Sequence, residues 1–158
     1  MSSIESVIDL LVETFPRLFK GRPPRVPSDL PQGWALIVMQ LFREIDTLLT
    51  DREASAFEIL QIKEKWGGLR VYWSLGGQRT FTADVHDEEA SHRLELGPHA
   101  PTPVFERIRD RVLRAEDAAA STCQRCSKPG RRRNQRGWLV TLCEGCTALK
   151  RDDPEDPS

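Results

Sequence analysis

An α+β fold is what this sequence predicts, and three observations carry that expectation. In three separate stretches apolar residues recur at three- and four-residue steps, the period of a helix. Between residues 57 and 85 the pattern shifts to strand-forming runs with apolar and polar residues in alternation. All four cysteines then fall near the C-terminus, in a spacing of their own. The architecture that follows is two N-terminal helices packed on a three-stranded antiparallel meander, with a third long helix leading into a small four-cysteine zinc ribbon. A chain of 158 residues suffices for one modest core with that unit attached.

The first helix is expected over residues 2–15, where Ile4, Val7, Ile8, Leu11, Val12 and Phe15 form one stripe. Ser2 and Glu5 have the spacing of a capping box, and Pro16 is a stop. Residues 20–31 hold four of the eleven prolines, so an extended surface connector follows. The second helix, residues 32–49, carries a broad apolar face of Trp34, Ile37, Val38, Leu41, Phe42, Ile45, Leu48 and Leu49. That face is too wide for a two-stranded seam, which makes this the central helix of the core.

Strands are expected at residues 57–65 and 69–75, joined by Trp66-Gly67-Gly68, whose glycines suit a tight hairpin. Leu69, Val71, Trp73 and Leu75 fall on one side, with Arg70, Tyr72 and Ser74 on a polar side left to solvent. A turn at Gly76-Gly77 leads to the third strand of the meander, residues 79–85, with Phe81, Ala83 and Val85 as its apolar side. Residues 86–103 read as a loop with a short strand near Leu94–Leu96. Thr102 and Pro103 are the N-cap and first residue of the third helix. Val104, Ile108, Val112, Ala115 and Ala119 line its buried side, and Phe105 flanks it.

That helix runs almost directly into Cys123, Cys126, Cys143 and Cys146. Two C-x2-C pairs separated by sixteen residues have the spacing of a four-thiolate zinc site. Such a tetrahedral site has no open position for substrate, so Zn2+ here is expected to stabilise a fold and do no chemistry. The domain organisation expected is an α+β body over residues 1–120, a rigidly attached zinc-ribbon unit over 121–150, and a polar tail over 151–158.

The overall net charge of -1 is unevenly spread. Residues 123–146 carry six basic side chains and one acidic, a net of +5, whereas residues 1–122 carry 15 basic and 19 acidic, a net of -4. Arg131, Arg132, Arg133 and Arg136 beside Trp138 suit phosphate contacts with base stacking, the pattern of a nucleic-acid surface. The competing account is charge balance, since four thiolates around a divalent zinc leave a formal -2. Trp138, Leu139, Val140 and Leu142 read as the strand that covers the metal and docks on the body.

Acidic residues interrupt the N-terminal apolar stretch, so no signal peptide is read there, and no apolar run suffices for a membrane span. Cysteines in metal spacing point to a reducing, cytoplasmic home. Nucleophile-elbow, phosphate-loop and H-E-x-x-H motifs are absent from the sequence. Glu58 with Glu64, or Asp84 with a histidine, would be the acid–base pair of a hydrolytic enzyme, the third-ranked alternative. His86 with Asp87, Glu88 or Glu89 is a second metal candidate, and His92 and His99 have no assigned role.

The stretch Gln61-Ile62-Lys63-Glu64-Lys65-Trp66-Gly67-Gly68-Leu69-Arg70-Val71-Tyr72 and the later C-x-x-C-x-x-P-G and G-W-x-x-T-L-C resemble a group of bacterial and phage proteins of unassigned activity. Members carry a K-E-K-F-G-G-L-R hairpin and then a small zinc ribbon. The likeness covers residues 57–73 and 115–146, about a third of the chain. Trp66 stands where the group has Phe, and Cys146 where the last ligand is often His, which holds zinc equally well. The resemblance implies a conflict-type role, binding and inhibiting a toxin or modulating a host factor. Lys63, Lys65, Trp66, Arg70 and Tyr72 form a compact set of residue types enriched at binding hot spots. The expected function is therefore stoichiometric, immunity-like binding of a protein partner without catalysis, with the nucleic-acid reading as rival.

Overall fold

The computed structural model describes residues 6–86 and 91–149. The Ser2–Glu5 cap and the C-terminal tail lie outside them. Among the described residues helix α1 (Val7–Thr14) has Ser6 as its N-cap, whose hydroxyl accepts from the Asp9 N–H. Pro16 ends α1 as expected but also opens a one-turn helix, α2 (Pro16–Phe19), because proline fits the first helical position. Arg17 on α2 donates to the backbone oxygens of Asp46 and Leu49, at 2.6 and 3.0 Å, and pairs with Asp46 and Asp51. It thereby supplies donors to carbonyls at the end of the next long helix, where no further turn follows to bond them.

That long helix, α3 (Ala35–Leu48), follows a 3₁₀ turn at Gln32–Trp34 and supplies the centre of the core. Trp34 on the turn, with Val38, Phe42 and Ile45 on the helix, is fully buried, and Phe42 meets Phe19 edge-on at 5.2 Å. A short helix the apolar pattern does not signal, α4 (Asp51–Ala56), starts at a capping box between Thr50 and Glu53. Six helices are therefore present among the described residues, against three expected.

The strands β1 (Phe57–Lys65) and β2 (Gly68–Leu75) pair antiparallel with Lys65 opposite Gly68. The positive φ values fall on Trp66 (52°) and Gly67 (77°), whereas Gly68 already belongs to β2. Helix α5 (Pro103–Ala120), capped by Thr102, packs on β2 and α3, with Phe105 central and Trp73 at 4.6 Å from its ring.

The meander does not form. β3 (Phe81–His86) pairs with β4 (Ser91–Leu96) in a separate two-stranded hairpin. The reason lies on the edge of β2, where the Val71 N–H donates to Glu116 on α5 at 3.1 Å. The helix side chain occupies a backbone donor that a third strand would need. The hairpin lies with its polar side inward, the reverse of the expected orientation. Asp84 meets Lys65 at 2.9 Å and Arg70 at 3.4 Å, Arg93 pairs with Glu116, and Glu95 accepts from Arg109 at 2.9 Å. The polar side of β2 is consequently not wet, since Arg70 and Ser74 are buried. Phe81, Val85, Leu94 and Leu96 face solvent.

This attachment titrates. Burial pushes the Asp84 carboxyl up, but the hydrogen bond from Lys65 and the charges of Arg70, Lys65 and Arg93 outweigh it, so its pKa lies below the ordinary 3.8. A depressed pKa means the contribution is complete above 3.8 and is lost as pH falls through the lowered value. Glu116 has the opposite sign: burial raises it above 4.5 despite Arg93, so its contribution weakens as pH rises from there. Acidification from pH ~5 to ~2.5 is therefore expected, through Asp84, to lower the amide protection factors of β3 and β4, each referred to the intrinsic exchange rate at that pH, before those of the core helices. Asp84→Asn should remove most of that pH dependence.

Candidate metal centre

The C-terminal ribbon is built from a turn at Cys123–Cys126, strands β5 (Arg131–Gln135) and β6 (Trp138–Leu142), and the short helix α6 (Glu144–Ala148). β5 and β6 pair antiparallel across a turn whose Arg136 and Gly137 both have positive φ. The Asn134 side chain accepts the Gly137 N–H at 2.8 Å.

Local geometry brings the sulfurs together from two sides. After α5 the chain folds back so that Cys123 N–H donates to the Lys128 carbonyl at 2.7 Å and Ser127 N–H to the Cys123 carbonyl at 3.0 Å. Ser127 takes up left-handed backbone (φ 68°) to close this turn. On the other side Cys143 caps α6, its sulfur accepting the Cys146 N–H at 3.3 Å. Gly130 lets the two halves meet, since a Cβ there would lie 2.9 Å from Cys123 N and 3.0 Å from the Leu142 backbone.

All four ligand sulfurs lie within 4.8 Å of one another, and Cys126 and Cys143 are 3.5 Å apart as free thiols. A tetrahedral four-thiolate site with metal–sulfur bonds of about 2.3 Å has sulfurs about 3.8 Å apart, so this set fits such an ion closely. The protonation chemistry fits as well. Burial alone would push the Cys123 thiol up, yet backbone N–H groups of Cys143, Cys126 and Arg125 draw it down to about 6. The Cys146 N–H lowers Cys143, whereas hydrogen bonding with Cys126 and burial push Cys146 up to about 12. Some thiols ionise readily and the last resists, the behaviour of a cluster that needs a cation to become fully anionic. Among the described residues these four are the one group placed to hold a metal ion. Of the histidine alternative, Asp87, Glu88 and Glu89 lie outside the described residues.

The ribbon is clamped to the body at two places. The Gly33 N–H donates to the Gln124 carbonyl at 2.8 Å, Ser127 donates to the Gly33 carbonyl at 2.7 Å, and the Trp34 indole donates to the Thr122 carbonyl at 2.9 Å. At the second clamp Thr141, 1% exposed, donates to the Gly67 carbonyl at 2.6 Å in the β1–β2 turn. A Cβ on Gly67 would lie 3.0 Å from the Val140 backbone. The sequence pattern does not announce these contacts. The signals it offers are a glycine just before Trp34 and one threonine inside the apolar run 138–142.

The other expected site residues separate into buried and presented groups. Arg70 is buried, bonded to the Leu69 carbonyl and to Asp84. Lys65 bridges Asp84 and the Trp66 ring, 4.3 Å from its centroid, and Lys63 lies 5.5 Å over Tyr72. Trp66 keeps 36% of its surface exposed at the tip of the turn. On the ribbon, Arg125 and Arg133 donate to the carbonyls of Cys146 and Leu142, beside the ligands. Arg131, Arg132 and Arg136 are exposed. Trp138 does not dock as expected: it is 68% exposed, and Val140 and Leu142 cover the cysteines instead.

The candidate carboxylates all have structural partners. Glu58 pairs with Arg25 at 3.1 Å, Glu64 accepts the Gly67 N–H at 2.5 Å, and Asp84 is held as above. No described helix is long and apolar enough to cross a membrane. Fold and centre together define an α+β protein with a C-terminal ribbon whose four clustered cysteines could hold a metal ion. Comparison with models of protein families, with curated proteins and with solved structures returned no match to this chain.

Proposed function

We propose that this is a zinc-stabilised, non-enzymatic binding protein that acts by stoichiometric binding of a protein partner. An all-thiolate tetrahedron suits zinc, and with four protein ligands the ion has no position left for a reacting water. The observation that carries the binding role is Trp66. It occupies left-handed backbone (φ 52°) at the first central position of a two-residue turn, where asparagine, aspartate or glycine is favoured. Holding a bulky residue there costs about 1–2 kcal/mol. The ribbon sustains that conformation through Thr141 and Val140 and so presets an indole, with Lys65 4.3 Å over its ring, at the surface. Inhibition of a toxin, an immunity-like role, is the concrete form the sequence resemblance favours.

The test is Trp66→Asn. This variant should be as stable as the parent or more so, with Tm higher by about 2–4 °C, yet lose a partner captured at 1:1 from the native cell by the unmodified protein. Undiminished capture by the variant would remove Trp66 from the interface.

A second reading has its own observation: Trp138 stands exposed on a ribbon whose Arg131 and Arg132 are not used to hold the cysteine loops. Micromolar DNA or RNA affinity at physiological salt, with a salt dependence that flattens on replacing those arginines by alanine, would establish a nucleic-acid regulator instead.

A further inference from the structure

The β3–β4 hairpin has an apolar side that nothing among the described residues covers. Phe81 is 60% exposed, Val85 51%, Leu94 61% and Leu96 72%. Ala83 and His92 complete that side, since Phe81 stands opposite Leu96, Ala83 opposite Leu94 and Val85 opposite His92. This is the reverse of a hairpin laid down for stability, which would bury those residues. Ion pairs to Lys65, Arg70, Arg109 and Glu116 hold the polar side inward and leave the apolar side as the presented one.

We infer that this face binds a second copy of the same chain, forming a two-fold dimer through a small two-layered sheet. Three features select that occupant. The six paired positions of the face carry no Asp, Glu, Lys or Arg, so two copies meet without like-charge repulsion across it. A polyanion would find one cation there, Arg79 at the edge, 4.9 Å over the Phe81 ring. Residues 150–158 carry no large apolar side chain that could lie on it. The shape is also self-complementary. A two-fold axis parallel to the strands and midway between them lays Leu94 of each copy over Ala83 of the other. The same operation sets Phe81 over the second copy's Leu96, so the small residue at the centre receives the large one.

The area is adequate. The four large side chains and their neighbours expose on the order of 500 Å² per copy, a patch size that marks interaction sites. Two copies bury ~1,000 Å², the lower limit for a specific interface, which predicts association in the micromolar range. The face is distinct from the Trp66 tip, so dimerisation and partner binding are separable.

Sedimentation velocity on the zinc-loaded full chain between ~1 and ~300 µM tests this. The expected result is a concentration-dependent rise from the 18.0 kDa monomer toward twice that mass. Leu94→Glu, a substitution at an exposed position, should hold the protein monomeric throughout and leave its circular dichroism unchanged. Leu36→Glu alters another exposed leucine, 76% accessible on α3, and should leave the dimer intact. A monomer at every concentration overturns the inference, as does a dimer that survives Leu94→Glu or is abolished equally by Leu36→Glu. Trp66→Asn should dimerise normally, so failure of the dimer and failure of the partner site give different results.

Discussion

Replacing Cys123 or Cys146 by serine is expected to abolish the proposed zinc binding and unfold the ribbon while the α+β body stays folded. The two hydrophobic clusters are unequal enough to require this. The body buries a continuous set running from Val7 to Ala119, whereas the ribbon's cluster is Cys123, Val140, Leu142 and Cys146. Val140 and Leu142 contribute about 1.5–3 kcal/mol each when buried, against an ordering cost of about 1–2 kcal/mol for every residue of the ribbon backbone. The proposed ion supplies the difference: structural zinc sites have an apparent binding free energy of about 10–16 kcal/mol. Elemental analysis should therefore fall from one zinc per chain toward none. Amide protection should vanish over residues 122–148, and helical circular dichroism should persist. A strong chelator should produce the same state in the parent protein. Loss of the ribbon also removes the Thr141 bond to Gly67, so partner capture through Trp66 should fail in the same variants. Retained protection across 122–148 in either serine variant would show that the ribbon folds without its metal.

What the sequence disclosed was what depends on neighbours along the chain. β1 occupies Phe57–Lys65 and α5 begins at Pro103 behind its Thr102 cap, both as expected, because strand propensity and capping are local. The cysteine cluster was equally legible, since paired C-x2-C turns fix their ligands within a few residues. The hairpin was not. Alternation at Phe81–Val85 announces two faces but does not say which one turns inward. That choice was made by Lys65, Arg70, Arg109 and Glu116, charges that lie on three other elements. Helix α4 escaped for a different reason: DREASA has no apolar stripe, and its signal was the Thr50–Glu53 box alone. The hot-spot set divided in two because Arg70, read as a surface cation beside Tyr72, is the residue that anchors Asp84 beneath the hairpin.

Gly33→Ala should be the most damaging single substitution that leaves every metal ligand in place. Nothing about its backbone demands glycine; what does is the distance to the ribbon. A Cβ would lie 2.2 Å from the Cys123 carbonyl oxygen, and 2.5 and 2.7 Å from the Gln124 carbonyl carbon and oxygen. These are main-chain atoms of the metal turn, fixed by the cysteine ligands, so they cannot swing aside as a flexible side chain would. One methyl group must therefore push the turn off the body. That movement strains or breaks the Gly33–Gln124 and Ser127–Gly33 hydrogen bonds and the bond from Trp34 to Thr122. Overpacking of this kind costs about 3 kcal/mol, which for a chain of this size lowers Tm by about 10 °C. The outcome should differ in kind from that of the serine variants. Zinc content should remain at one per chain because the sulfurs keep their mutual geometry, but ribbon and body should unfold in separate transitions. A single cooperative transition at the parental Tm would mean that the clamp at Gly33 does not couple the two parts, leaving Thr141 and the helix α5 connection to do so alone.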